Sequence, residues 1–151
     1  MITKINKCRL CNNDKLKLII SFGKVPLGNN LQDKLSESLK VSSYKLNLNR
    51  CKTCGHFQLG YLVDKKLLYA TNYTYLSGVT KTFLIHFERY AKKIIKKINL
   101  KQNSFVLDIG SNDGSCLKYF QNNKMKVLGI DPAIKPSKIA NKNKIKTINR
   151  F

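Results

Sequence analysis

The sequence is poor in acidic residues and in long apolar runs, and each shortage excludes a class of protein. No apolar run approaches the roughly 18 residues that a bilayer-spanning helix needs. The opening MITKINKCRL lacks the apolar core of a secretory signal. A cytoplasmic location with no membrane partner is therefore expected. The 8 Asp and Glu stand against 29 Lys and Arg, a formal net charge of +21, which invites a nucleic-acid reading because clustered basic residues release counterions from phosphates. The supporting pattern is missing. No Arg-rich or aromatic-interleaved patch occurs, and the basic residues are almost all Lys, spread along the chain beside abundant Asn and Ile. The excess is read as solvated lysine with a nonspecific attraction to polyanions. No specific nucleic-acid partner is expected, although the charge would also suit a phosphate-bearing substrate.

With 151 residues and 42% hydrophobic content, the chain can bury one substantial core or two small ones. Three regions separate. Residues 1–62 hold two cysteine pairs, the short apolar segment LKLIISF and the turn-prone VPLGNN, which together read as a small strand-containing module. Residues 63–100 form a connecting segment and a helix. From Thr80 to Leu100, Phe83, Leu84, Phe87, Tyr90, Ala91, Ile94, Ile95 and Ile98 recur at helical spacing, with Lys92, Lys93, Lys96 and Lys97 opposite. His86 shares that polar side and reads as exposed. In residues 101–151 the period changes to strand SFVLDIG, helix SCLKYFQNN, strand KVLGID, helix PSKIANKN and a third strand at IKTIN. That order opens a doubly wound α/β sheet.

Four of the five cysteines form two C-x2-C pairs, CRLC and CKTC. Four thiolates at about 2.3 Å from an ion make a closed tetrahedral site, so Cys8, Cys11, Cys51 and Cys54 are the candidate ligands of a structural zinc. Between Cys11 and Cys51 lie 39 residues, where a compact zinc ribbon has about 15–20. The module is thus zinc-ribbon-like with a long excursion. Four reduced, unliganded cysteines or a redox-active pair are the competing readings. His56 is taken as a nearby non-ligand, and Cys116 as a small core residue.

In VLDIGSNDG, Asp108, Gly110 and Gly114 form D-x-G-x-x-x-G. Asn112 stands where the dinucleotide fingerprint needs a second glycine for the approach of a pyrophosphate, which disfavours NAD. S-adenosylmethionine has no pyrophosphate, and Asp131, 23 positions after Asp108, ends the next strand, where a carboxylate can accept both ribose hydroxyls. An ordinary tight turn at Gly110, with Asp131 merely ending a strand, remains the alternative.

Taken in order, CRLC, FGKVPLGNNL, LNLNRCKTCGHFQLGYLV, NYTYLSGVT, HFERYA, VLDIGSNDGSCLKYF and VLGIDPA resemble the sugar C-methyltransferase family. In that family a zinc-binding module precedes a class I S-adenosylmethionine-dependent methyltransferase domain. The resemblance implies an α/β chain: a zinc-ribbon-like module, a helix, then the first part of a Rossmann-like methyltransferase sheet. It implies methyl transfer to a ring carbon of a nucleotide-linked keto-deoxysugar, through an enolate formed by proton abstraction. It places zinc on the four cysteines, Gly110, Ser111 and Asn112 at the cofactor loop, and Asp131 with Pro132 at the ribose and adenine. Tyr75, in Y-x-Y-L-S-G, is the residue that it points toward the active site.

Members of the family are longer, and no residue of this chain is assignable as the general base. The sheet is expected to stop near its third strand, with an open edge and an uncovered apolar face. The chain alone is therefore expected to be inactive, with a second chain that completes the sheet as a candidate partner. The rival readings are a zinc-ribbon nucleic-acid-binding protein and a noncatalytic zinc scaffold.

Overall fold

The computed structural model describes residues 2–70 and 73–151. The chain divides into two compact units, one through Leu68 and one from Tyr69.

In the first unit, β1 (Ile2–Lys4) pairs antiparallel with β5 (Tyr61–Val63). A second, antiparallel sheet has the order β2 (Leu16–Pro26), β3 (Ser43–Cys51), β4 (Phe57–Leu59). The long excursion between the cysteine pairs is largely the β2–β3 hairpin, whose loop carries the short helix α1 (Leu35–Ser38). Leu16 pairs with Cys51, so the hairpin returns the second cysteine pair to the first. Strand β2 runs on to Pro26, which an edge strand tolerates because its outer N–H groups have no ladder to complete. Two register shifts interrupt β2, between Leu18 and Ile20 and between Ser21 and Lys24, the kind of irregularity that blunts an exposed edge. Little apolar surface is buried. Leu18, Ile19, Ile20 and Phe22 are all exposed, and among the described residues of this unit the buried apolar side chains are Cys8 and Cys51. Helix α2 (Lys65–Tyr69) closes the first unit at Leu68 and opens the second at Tyr69; it is started by Asp64, whose Oδ1 accepts the Lys66 N–H at 2.8 Å.

The second unit is built on a parallel sheet with the order β6 (Phe105–Ile109), β7 (Lys126–Ile130), β8 (Thr147–Ile148). A 3-10 turn at Ser77–Val79 leads into α3 (Lys81–Lys97), while α4 (Ser115–Asn122) and α5 (Ile134–Lys142) make the crossovers. Thr80 caps α3 by accepting the Phe83 N–H at 3.3 Å on its hydroxyl.

All three helices end alike. Asn99, Lys124 and Lys144 take left-handed φ of 53°, 65° and 61°. The next residues, Leu100, Met125 and Ile145, send their N–H back to the carbonyls of Ile95, Phe120 and Ala140 at 3.0, 3.1 and 3.0 Å. This is the Schellman arrangement, in which the residue after the left-handed one packs onto the last turn. Met125 and Ile145 are accordingly core residues. One cluster joins Ala91 of α3 to Phe120 and Met125, and another joins Leu117, Ala140 and Ile145; Val106 and Val127 of the sheet pack against both. The helices thus cover one face of the sheet. The alternate residues Phe105, Leu107, Ile109 and Ile148 stay exposed, Ile109 by 77%. No helix of the described residues is long and apolar enough to cross a membrane.

Candidate functional site

The metal centre is two matching turns. In the first, the Cys8 N–H donates to Asn13 O at 2.7 Å and the Asn12 N–H to Cys8 O at 2.9 Å; in the second, the Cys51 N–H donates to His56 O at 2.8 Å and the Gly55 N–H to Cys51 O at 3.0 Å. Asn12 and Gly55, each just after the second cysteine, take the left-handed conformation that closes the turn. The turns interlock: Cys8 Sγ lies 3.6 Å from Cys54 Sγ, and Cys11 Sγ lies 3.6 Å from Cys51 Sγ. All four sulfurs fall within 4.8 Å of one another. A tetrahedron of sulfurs at about 2.3 Å from zinc has edges of about 3.8 Å, so the cluster fits that ion with little movement. His56 takes part through its carbonyl and is outside the sulfur cluster.

Backbone N–H groups within the turns favour thiolate on the first cysteine of each. The N–H groups of Cys54 and Thr53 pull Cys51 down to about 6, and those of Cys11 and Leu10 lower Cys8. Cys11 is pushed up to about 12: the Asn13 N–H favours its thiolate, but hydrogen bonding with Cys54, Cys51 and Cys8, together with burial, outweighs it.

Gln58 is the supporting residue that sequence reasoning missed. It is buried on β4, where its Oε1 accepts the Arg9 N–H at 2.8 Å and its Nε2 donates to Lys7 O at 3.0 Å. One side chain therefore fixes the main chain on both sides of Cys8. The available signal was strand alternation, which puts Gln58 on the opposite face from Phe57 and Leu59.

In the second unit, Gly110, Asn112, Asp131, Pro132 and Tyr75 line one cavity of about 340 Å3, together with Tyr69, Tyr73, Ser77 and Ala133. That volume lies in the range of about 300–1,000 Å3 usual for small-molecule sites. Asp131 is buried. Its Oδ2 accepts the Asn112 N–H and its Oδ1 the Ala133 N–H, each at 2.8 Å. Each oxygen retains a lone pair. The Tyr73 ring meets Tyr69 and Tyr75 edge-on, with centroids 5.9 and 6.3 Å apart, and burial followed by the charge of Asp131 raises its phenol above the ordinary value.

The loop does not offer a phosphate cradle. The N–H groups of Gly110 and Ser111 both donate to Ile130 O, at 2.7 and 3.2 Å, and that of Gly114 to Ser111 O at 3.0 Å. Asn112 gives its N–H to Asp131, and the Ser115 N–H at the start of α4 donates to Asp113 Oδ1 at 3.1 Å. Amides spent in this way, with carboxylates as acceptors, leave little for a pyrophosphate.

Three of the remaining candidates lie elsewhere. Ser111 points its buried hydroxyl at Gly129, where an added Cβ would collide with it. Gly114, at φ 75°, has no room for a side chain because a Cβ would lie 2.9 Å from Ile145 Cγ2, whereas a Cβ on Gly110, at φ 85°, would meet nothing within 4 Å. Gly114 thus serves packing, and Gly110 leaves the loop open beside the cavity. Asp108 lines a separate groove of about 320 Å3 with Tyr90, Ile94, Cys116 and Phe120, where burial and then the charge of Asp131 raise its carboxyl above the ordinary value.

Residues 8–69 match the family model Methyltransf_13, "Putative zinc binding domain". Over 148 residues, 98% of its length, the chain is 26% identical to C-methyltransferase NovU of Streptomyces niveus, of which it covers 35%. The chain is thus similar to a C-methyltransferase along almost all of its length and to a zinc-binding domain over residues 8–69. Zinc binding has two supports, the matched domain and the four-cysteine cluster. The chain spans about a third of the length of the curated relative that it matches.

Proposed function

We propose that the chain is the N-terminal portion of an S-adenosylmethionine-dependent C-methyltransferase acting on a nucleotide-linked keto-deoxysugar. It comprises a zinc module at 1–62, a linking helix segment at 63–100 and the start of a Rossmann-like methyltransferase domain at 101–151. The observation that carries this reading is the cavity beside Asp131. It combines a buried carboxylate with a free lone pair on each oxygen, an open approach at Gly110, and a loop whose amides are committed elsewhere. Those features suit a ribose without a pyrophosphate.

S-adenosylmethionine, when bound, supplies an electrophilic methyl group. Asp131 would accept the ribose hydroxyls, Pro132 and Ala133 would flank the adenine, and the Tyr75 phenol would orient cofactor or substrate. Zinc, held by Cys8, Cys11, Cys51 and Cys54, is structural. Asp131 is the one carboxylate among the described residues that line the cavity, and its assigned role is to hold the loop and the ribose, so no residue of this chain is assigned as the base that removes the sugar's alpha proton. The chain alone is inactive on this reading. A second chain whose elements cover Phe105, Leu107 and Ile109 and extend the sheet beside β6 is the candidate partner. Nucleic acid binds only nonspecifically, and the protein works in the cytoplasm.

Calorimetric titration of the zinc-loaded chain tests the cofactor assignment: S-adenosylmethionine is expected to bind and NAD is not. Binding of NAD alone, or tight sequence-selective binding to nucleic acid in place of the cofactor, would overturn it. Robust methyl transfer by the chain alone would overturn the inactivity.

A further inference from the structure

Three hydrogen bonds tie the main chain of residues 75–78 to two side chains of the glycine loop. Asn112 Oδ1 accepts the Ser77 N–H at 2.9 Å, and Asn112 Nδ2 donates to the carbonyl of Tyr75 at 3.1 Å. Asp113 Oδ2 accepts the Gly78 N–H at 2.9 Å, while its Oδ1 takes the Ser115 N–H. Asn112 and Asp113 are each only 7% exposed, so these bonds are partly shielded from water and costly to lose. Asn112 holds a left-handed φ of 52°, which asparagine tolerates better than most residues, and its own N–H goes to Asp131. A continuous chain of bonds therefore runs from Asp131, through Asn112, to the backbone on either side of Leu76. The fit is close at the other end as well, since a Cβ on Gly78 would collide with Ser115 Oγ and lie 2.9 Å from Asp113 Oδ2.

We propose that Asn112 and Asp113 are positioning residues: they clamp the segment carrying Tyr73 and Tyr75 against the glycine loop, so that the aromatic wall of the cavity stands before any ligand arrives. Because the ties run to main chain, they set the height of the wall independently of the side chains it carries. A segment that had to be ordered on binding would subtract that cost from affinity. The ligand part of the proposal rests on the cofactor reading above; the clamp itself does not.

The test uses the zinc-loaded full chain and two variants, Asn112→Ala and Asp113→Asn, followed by amide hydrogen exchange and by calorimetry with S-adenosylmethionine. The first variant removes both ties to Tyr75 and Ser77. The second keeps the size of the side chain and turns one acceptor into a donor. Exchange at Ser77 in the first, and at Gly78 in the second, is expected to quicken about tenfold or more, equivalent to about 1.4 kcal/mol. The amides of β7 are expected to keep their rates, and cofactor affinity to fall by a similar factor. In Asn112→Ala the Tyr73 phenol should also titrate back toward its ordinary value, a spectroscopic change that damage to the distant core would not produce. Wild-type exchange rates at Ser77 and Gly78 in both variants would overturn the clamp. Faster exchange combined with no cofactor binding by the wild-type chain would uphold the clamp and sink the cofactor reading, so the two failures are distinguishable. If β7 exchange shows that Asn112→Ala does not fold, the milder Asp113→Asn decides.

Discussion

Removal of metal should unfold the first unit and spare the second. Among the described residues up to Leu68, the buried apolar side chains are Cys8 and Cys51, themselves proposed ligands, whereas Leu117, Phe120, Met125, Ala140 and Ile145 are buried in the second unit. The hairpin that joins the two cysteine turns exposes Leu18, Ile20 and Phe22, so it brings little hydrophobic stabilisation to set against the entropy of ordering its residues. Structural zinc contributes about 10–16 kcal/mol at neutral pH, which equals or exceeds the roughly 5–15 kcal/mol net stability of a typical domain. Without it the unit has no remaining source of that size. A strong chelator should therefore abolish the strand signal of this unit in circular dichroism and open residues 2–68 to protease, with residues 73–151 staying resistant and zinc restoring the first unit. Cys51→Ser should behave as partly chelated protein even with zinc in excess. Retention of protease resistance in residues 2–68, after metal analysis shows the ion gone, would refute the argument.

Three further outcomes follow from the second unit. Leu117→Ala should cost about 2–5 kcal/mol, read as a lower denaturation midpoint of this unit, because Leu117 is 1% exposed beneath Ala140 and Ile145. Asp131→Asn should weaken S-adenosylmethionine at least tenfold by calorimetry, since a hydrogen bond to a charged group contributes about 1.5–3 kcal/mol and the loop loses an acceptor as well. Asp108 binds its proton more tightly folded than unfolded, because burial and then Asp131 raise its carboxyl. Its contribution to stability is thus full below the unfolded pKa and is lost as pH rises through the folded value. Asp108→Asn should accordingly raise the thermal midpoint at neutral pH and leave it nearly unchanged in acid, each 1 kcal/mol recovered being worth about 4–8 °C in a unit of this size.

Much of the fold was legible because the relevant signals are local. The helical spacing of Phe87, Tyr90, Ala91 and Ile94, and the apolar runs around Leu107 and Leu128, placed α3, β6 and β7 close to their observed bounds. Helix ends were harder to read. Asn99, Lys124 and Lys144 stop their helices in left-handed geometry without a glycine, so the expected helix ran on to Leu100 where α3 ends at Lys97. The signal lay one residue further on, in the apolar Leu100, Met125 and Ile145 that fold back onto the last turn. The cysteine cluster was readable from spacing, whereas Gln58 was not, because its partners Lys7 and Arg9 lie about fifty positions away in sequence. The same holds for Asp113 and Gly78, which meet across 35 residues. Motif reading also grouped Asp108, Ser111 and Gly114 with the cavity, whereas the pleat of β6 and the turn of the loop direct them elsewhere. A motif records that residues occur together; which way each side chain faces is settled by strand alternation and by loop dihedrals.

The cavity beside Asp131 is proposed as a site for S-adenosylmethionine. Residue-resolved NMR titration of the zinc-loaded chain with that cofactor tests it most directly. Saturable amide shifts at Gly110, Asn112, Asp131 and Ala133, reversed by the demethylated product and not produced by NAD, are the predicted result. Shifts confined to surface lysines, or none at those four residues at any cofactor concentration, would contradict it.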